Sequence, residues 1–125
     1  MAWFFPDEAT AHTDALLERV RREGAVAPAI WPLEVANVML FGEKRGRVTA
    51  SDTDDFIALL GLLPILVDDQ APGLAFATIL PLARRHKLTV YDAAYLELAL
   101  RLGLPLATLD KELRLAAPTV GGVLL

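Results

Sequence analysis

Three carboxylates in this sequence fall where the surrounding pattern calls for apolar or small residues. Glu34 lies in Trp31-Pro32-Leu33-Glu34-Val35-Ala36-Asn37, in the first turn of an expected helix that follows a strand. Asp92 lies in Val90-Tyr91-Asp92-Ala93-Ala94-Tyr95, also at a helix start, with no charged residue within four positions on either side. Asp110 directly follows Leu106-Ala107-Thr108-Leu109, at the carboxyl end of an expected strand. Carboxylates gathered in apolar surroundings repel one another and do not all ionise unless a cation is present. Oxygen ligands without His or Cys select Mg²⁺ or Mn²⁺, and such an ion binds phosphate-containing substrates and activates water. Spacing and chemistry therefore point to a metal-dependent phosphodiesterase. Taken singly, each acid has a plainer role, because a carboxylate in a first helical turn caps the helix or complements its dipole. The coincidence of three at one sheet edge is what argues for chemistry.

Other chemistries find little material. The chain has no cysteine, which excludes disulfides, thiolate metal sites and thiol nucleophiles together. His12 and His86 stand among polar or charged neighbours and are expected on exposed helix surface, so neither a His-based triad nor a zinc site is expected. Gly121-Gly122 reads as a turn rather than a phosphate-binding loop. Thr108 is a candidate for holding a water through its hydroxyl, and Asn37 lies one turn beyond Glu34. Trp3, Phe4 and Phe5 are expected in core or interface packing, and Tyr91 and Tyr95 in the core.

The elements that must position these residues alternate between helical periodicity and short apolar runs. Asp7 is the expected cap of a helix ending near Gly24, and Ala25-Val26-Ala27 reads as a buried strand. Helices are expected over residues 31–45 and, capped by Thr49 or Ser51, through Leu63. Ile65-Leu66-Val67 reads as a second strand and Leu74 to His86 as one helix. A further helix runs from about Tyr91 to Leu102, and Leu106-Ala107-Thr108-Leu109 is the clearest strand. A short helix over about 111–116 and a last strand at 123–125 complete the series. Short, continuously apolar strands between helices indicate a parallel sheet covered on both faces, an α/β layered fold with its site beyond the strands' carboxyl ends.

The bulk numbers agree. The chain has 125 residues, 54% of them hydrophobic and 22% charged, with mean hydropathy +0.42. A single domain over residues 1–125 is expected, and disorder is excluded because there is ample apolar surface to offset chain entropy. The longest apolar run, Phe56 to Val67, covers 12 residues. A membrane span needs about 20, so the run is expected in the core, with no membrane partner. The net charge is −4, yet nine of the 12 basic residues cluster at Arg19/Arg21/Arg22, Lys44/Arg45/Arg47 and Arg84/Arg85/Lys87. Solvated helix ends explain such clusters, as does phosphate binding. Nothing in the composition asks for an oxidising compartment, so the cytoplasm is expected.

The "AWFFPDE" opening, "PLEVANVM" and "LTVYDAAYLELALRLGLPLATLD", in that order, resemble the PIN-domain family, specifically its VapC-like toxins of toxin–antitoxin pairs. The resemblance covers essentially the whole chain. It implies a PIN-like three-layer α/β/α fold with a short central parallel sheet, and a Mg²⁺- or Mn²⁺-dependent endoribonuclease inhibited by a cognate antitoxin and usually dimeric. It places Glu34, Asp92 and Asp110 around the ion. It also exposes a departure: family members start with an apolar strand ending in an Asp-x-Ser-like motif, and no acidic residue here precedes Asp7. The expectation is a chain one central strand short, with that strand encoded upstream or supplied by another segment or subunit. Two rival functions follow: a catalytically impaired binding module acting through the antitoxin or itself, and, ranked last, a small-molecule phosphohydrolase.

Overall fold

The structure is a computed structural model that describes residues 5–125; the packing roles expected of Trp3 and Phe4 lie outside them. A 3₁₀ turn at Pro6–Glu8 precedes α1 (Ala11–Glu23), β1 (Ala25–Pro28), α2 (Trp31–Lys44), α3 (Ala50–Leu60) and β2 (Ile65–Asp68). There follow α4 (Ala71–Leu74), a π-helical turn (Ala75–Ile79), α5 (Leu80–His86), α6 (Val90–Leu102) and α7 (Lys111–Thr119). β1 and β2 pair as a short parallel two-stranded sheet, so the fold is helix-rich α/β. The described chain forms two compact units. The first takes the chain up to Val26 together with Ile30–Leu66; the second takes Ala27–Ala29 and Val67–Leu125.

In the first unit the N-terminal segment is tied to α2 by one aromatic ring. A Cβ at Gly42 would stand 2.9 Å from Phe5 Cζ, so the helix carries a glycine where the ring lies. Above the ring, the Arg47 guanidinium sits 3.8 Å from its centroid and donates to Asp7 at 2.8 and 2.9 Å. Asp7 is thus an ion-pair partner rather than a helix cap. Thr10 caps α1 instead, in a reciprocal pair with Thr13. Gly24 closes α1 at φ 79°, ψ 178°, a conformation essentially confined to glycine, and a Cβ there would meet the Pro64 carbonyl oxygen at 3.0 Å. That same carbonyl accepts from Ala25 N–H at 3.0 Å, which starts β1 against β2.

In the second unit, Leu96, Ala99, Leu106, Leu113, Ala116 and Ala117 form one buried cluster, and Ile79, Ala83, Ala93 and Ala94 another. The alanines permit close helix approach. The helix expected over 74–86 is broken by a π turn. Pro81 has no N–H to give the preceding turn, and Leu80 N–H reaches back five residues to Ala75 O.

Three expectations are corrected. The 106–109 and 123–125 strands reduce to one parallel bridge, Leu106 with Leu124, because only Leu106 bonds on both sides, from its N–H to Val123 O and from Leu125 N–H to its own O. The Phe56–Val67 run is not wholly core: Phe56, Leu60 and Leu63 are half-buried, while Ile57, Leu59, Leu62 and Leu66 are exposed. Only one side of α3 is covered, so its other apolar side meets water. Tyr91, expected in the core, is exposed as well, because α6 turns Ala93, Ala94 and Glu97 inward.

Gly24→Ala should lower stability by about 1–3 kcal/mol, the cost of holding a side chain in a sparsely populated backbone region. A circular-dichroism melt of the variant beside the wild type measures it; equal melting temperatures would contradict the account of this turn.

Candidate functional site

Each of the three sequence-selected carboxylates stands at the N-terminal end of a helix, but the three are used differently. Glu34 lies in the first turn of α2, in the first unit. Its N–H donates to Ile30 O at 3.0 Å, and α2 has Pro32 in its first turn and no side-chain cap. An acid there offsets the positive end of the helix dipole.

Asp92 and Asp110 both belong to the second unit. Asp110 is the N-cap of α7: its Oδ1 accepts from Leu113 N–H at 2.9 Å. Its own N–H donates to Thr108 Oγ1 at 3.1 Å, so Thr108 positions the aspartate backbone. One carboxylate oxygen of Asp110 therefore serves the helix, and the other has no bond among the described residues.

Asp92 is the informative one. α3 begins Thr49-Ala50-Ser51-Asp52 and α6 begins Thr89-Val90-Tyr91-Asp92, the same Thr-x-x-Asp pattern. In α3 the box closes both ways: Asp52 N–H donates to Thr49 Oγ1, and Thr49 N–H donates to Asp52 Oδ2. The Thr49 backbone N–H, and after it the Thr49 hydroxyl, hold the Asp52 carboxyl below its ordinary range. In α6 only the first half forms, with Asp92 N–H donating to Thr89 Oγ1 at 3.0 Å. The half-buried Asp92 carboxylate is left with no hydrogen bond or ion pair among the described residues. Capping does not consume it.

As donors, carboxylates without nitrogen or sulfur fit a hard divalent cation. Among the described residues, no three His, Asp or Glu side chains gather closely enough to hold a metal ion by themselves. Mg²⁺ commonly takes one or two carboxylates and completes its shell with water and substrate phosphate, so the carboxylates available here suit that mode of binding.

Sequence reasoning missed a second charged group. Glu97 is 5% exposed, and Arg101 donates to it at 2.6 Å through Nε. The same guanidinium donates to Asp68 at 2.7 Å and 3.3 Å. The bond from Arg101, and after it the one from Gln70 N–H at 3.1 Å, hold the Asp68 carboxyl below its ordinary range. Asp68, chiefly, and Glu97 raise the Arg101 pKa. The i,i+4 spacing of Glu97 and Arg101 was legible in the sequence; the Asp68 partner, 33 positions away, was not. His86 is a correction too. It is half-buried, with Nε2 enclosed and unpartnered among the described residues, because it follows Ile79 and Ala83 at i+7 and i+3 on the covered side of the helix.

The chain matches the PIN domain family model over residues 1–117. Among solved structures it is similar to the crystal structure of PAE2754 from Pyrobaculum aerophilum, at 26% sequence identity and TM-score 0.65, covering 91% of this chain and 73% of that one. No curated protein matches it. PIN domains are in general nucleases.

Asp68→Asn should cost about 1 kcal/mol at neutral pH, the scale of a charged hydrogen bond that water partly reaches. Because the folded carboxyl lies below its unfolded value, the contribution is present above pH ~4 and is lost as pH falls through the folded value. Melting temperatures of variant and wild type should therefore converge towards acid. Arg101→Met should cost more, about 3 kcal/mol, because it strands the buried Glu97 charge.

Proposed function

Because the chain belongs to the PIN domain family, we propose that it is a Mg²⁺- or Mn²⁺-dependent endoribonuclease, and more narrowly a VapC-like toxin held silent by a cognate antitoxin. The observation that carries this reading is the Asp92 carboxylate, left open by its own cap in a position where the same Thr-x-x-Asp pattern elsewhere in the chain closes.

Asp92 and Asp110 would hold the ion, Asp110 with the oxygen its helix does not use. Glu34 would supply a third carboxylate, ligating the ion or orienting the attacking water. When bound, a divalent cation neutralises charge on the phosphodiester and makes water a better nucleophile. The basic clusters would hold the RNA backbone, contributing affinity and register without base specificity. The exposed apolar residues of α3 and its following turn, with Leu62 80% exposed, suit burial against a second copy, in keeping with a dimer. No helix among the described residues is long and apolar enough to cross a membrane. The proposed setting is the cytoplasm, where antitoxin and RNA are at hand.

One observation favours a second reading. No three acids gather among the described residues, as expected of a catalytically impaired module that acts only by binding its antitoxin or itself. Mg²⁺ titration separates the two, since only a nuclease shows metal-dependent cleavage.

Asp92→Asn should reduce RNA cleavage roughly 100-fold or more, the scale of removing one group that stabilises transition-state charge. Its melting temperature should stay near wild type, because the Thr89 cap bonds the Asp92 backbone and not its carboxylate. A gel assay with Mg²⁺ and with Mn²⁺ measures the first quantity, and undiminished cleavage would end the assignment.

A further inference from the structure

α2 carries more than Glu34 on one of its sides. Asn37, Phe41 and Lys44 follow Glu34 at i+3, i+7 and i+10, spacings that keep all four on one face at about 100° per residue. Asn37, Phe41 and Lys44 are exposed, whereas Val35, Met39 and Gly42 occupy the buried face. The Phe41 ring, 47% exposed, is flanked by cations rather than packed in the core. Lys44 Nζ lies 5.7 Å and the Arg45 guanidinium 6.0 Å from its centroid. Neither cation has an ion-pair partner among the described residues.

A half-exposed aromatic ring with two unpaired cations over it carries both contacts a single nucleic-acid strand uses: a ring that can stack a base, and cations that take phosphate. A protein interface core, by contrast, is depleted in lysine. Leu33 and Leu40 form an exposed apolar line about 80–100° round the helix from Phe41, next to Lys44. That line suits a second copy better than the Phe41 side does.

We propose that Phe41, Lys44 and Arg45 form a nucleotide subsite for single-stranded RNA, a base stacking on Phe41 and a phosphate lying on the two cations, about 10 Å along the α2 axis from Glu34. This rests on the endoribonuclease reading. It adds that the strand runs along α2, so that substrates too short to reach Phe41 are held less tightly.

The full chain carrying Asp92→Asn, which binds without cutting, is titrated with fluorescein-labelled single-stranded oligouridine by anisotropy. Phe41→Ala should weaken binding about 10-fold or more. Phe41→Leu should do the same, and Phe41→Trp should retain affinity, since stacking needs a π-face that leucine lacks. Lys44→Ala with Arg45→Ala should make the slope of log affinity against log salt shallower by about 0.7, the value for one phosphate contact on a single strand. In the active chain, Phe41→Ala should raise KM and leave kcat in place, with circular dichroism unchanged.

Wild-type cleavage with Phe41→Ala neutral, or with Phe41→Leu as good as phenylalanine, overturns the subsite and leaves the nuclease reading standing. A Phe41→Ala chain that sediments as a smaller species with RNA affinity unchanged assigns this face to a copy interface, which also overturns it. A wild-type chain that cleaves no RNA with either metal removes the nuclease reading and the subsite together.

Discussion

Glu97 is the one charged side chain buried among the described residues, and the second unit is organised around compensating it. An isolated buried carboxylate is costly enough to unfold a domain of this size. Arg101 meets that cost by lying one turn away on the same helix, and Asp68 accepts two further bonds from the guanidinium. The consequence is positional. The end of β2 is fastened to α6, the helix whose first turn presents Asp92. A salt bridge of this kind adds little net stability over an apolar substitute, and its effect here is to join two elements far apart in sequence.

The helix starts show a second economy. Thr10, Thr49 and Thr89 all cap helices, and Asp110 caps a fourth. At Thr10 and Thr49 the residue three positions on returns the bond; at Thr89 it does not. The Asp92 carboxylate thus forgoes a local hydrogen bond, and an unreciprocated acid beside a helix N-terminus remains available to a cation or a substrate. Asp110 shares its carboxylate between a helix and whatever else it binds. The Arg47 cluster spends its acids wholly on structure, with Asp7 and Glu8 tied to the guanidinium that covers Phe5.

Apolar surface left in water is the third feature. On β2, Leu66 and Val67 are consecutive, so they point to opposite faces, and both are exposed. A parallel sheet is ordinarily covered on both faces. Here β2 is bare at its centre, and the apolar side of α3 is open beside it in the sequence. The high hydrophobic fraction of the chain is therefore only partly spent on its own core.

Local chemistry was legible in the sequence because it acts over three or four residues. The helices over 31–44, 50–60 and 90–102, the glycine stops at Gly24 and Gly103, the cap at Thr49 and the placing of Glu34, Asp92 and Asp110 at helix starts all follow from periodicity and capping. Tertiary structure alone decided what depends on partners far along the chain. Whether Leu106–Leu109 forms a strand depends on how many residues of 123–125 pair with it, and only one does. Whether the Phe56–Val67 run is core depends on what covers it, and much of it is uncovered. The same Thr-x-x-Asp sequence closes its box at Asp52 and leaves it open at Asp92, since a side chain's partner is settled by its surroundings rather than by its neighbours in sequence. Asp68 reaches Arg101 across 33 positions for the same physical reason: burial and charge pairing are set by proximity in space, which no short window of sequence contains.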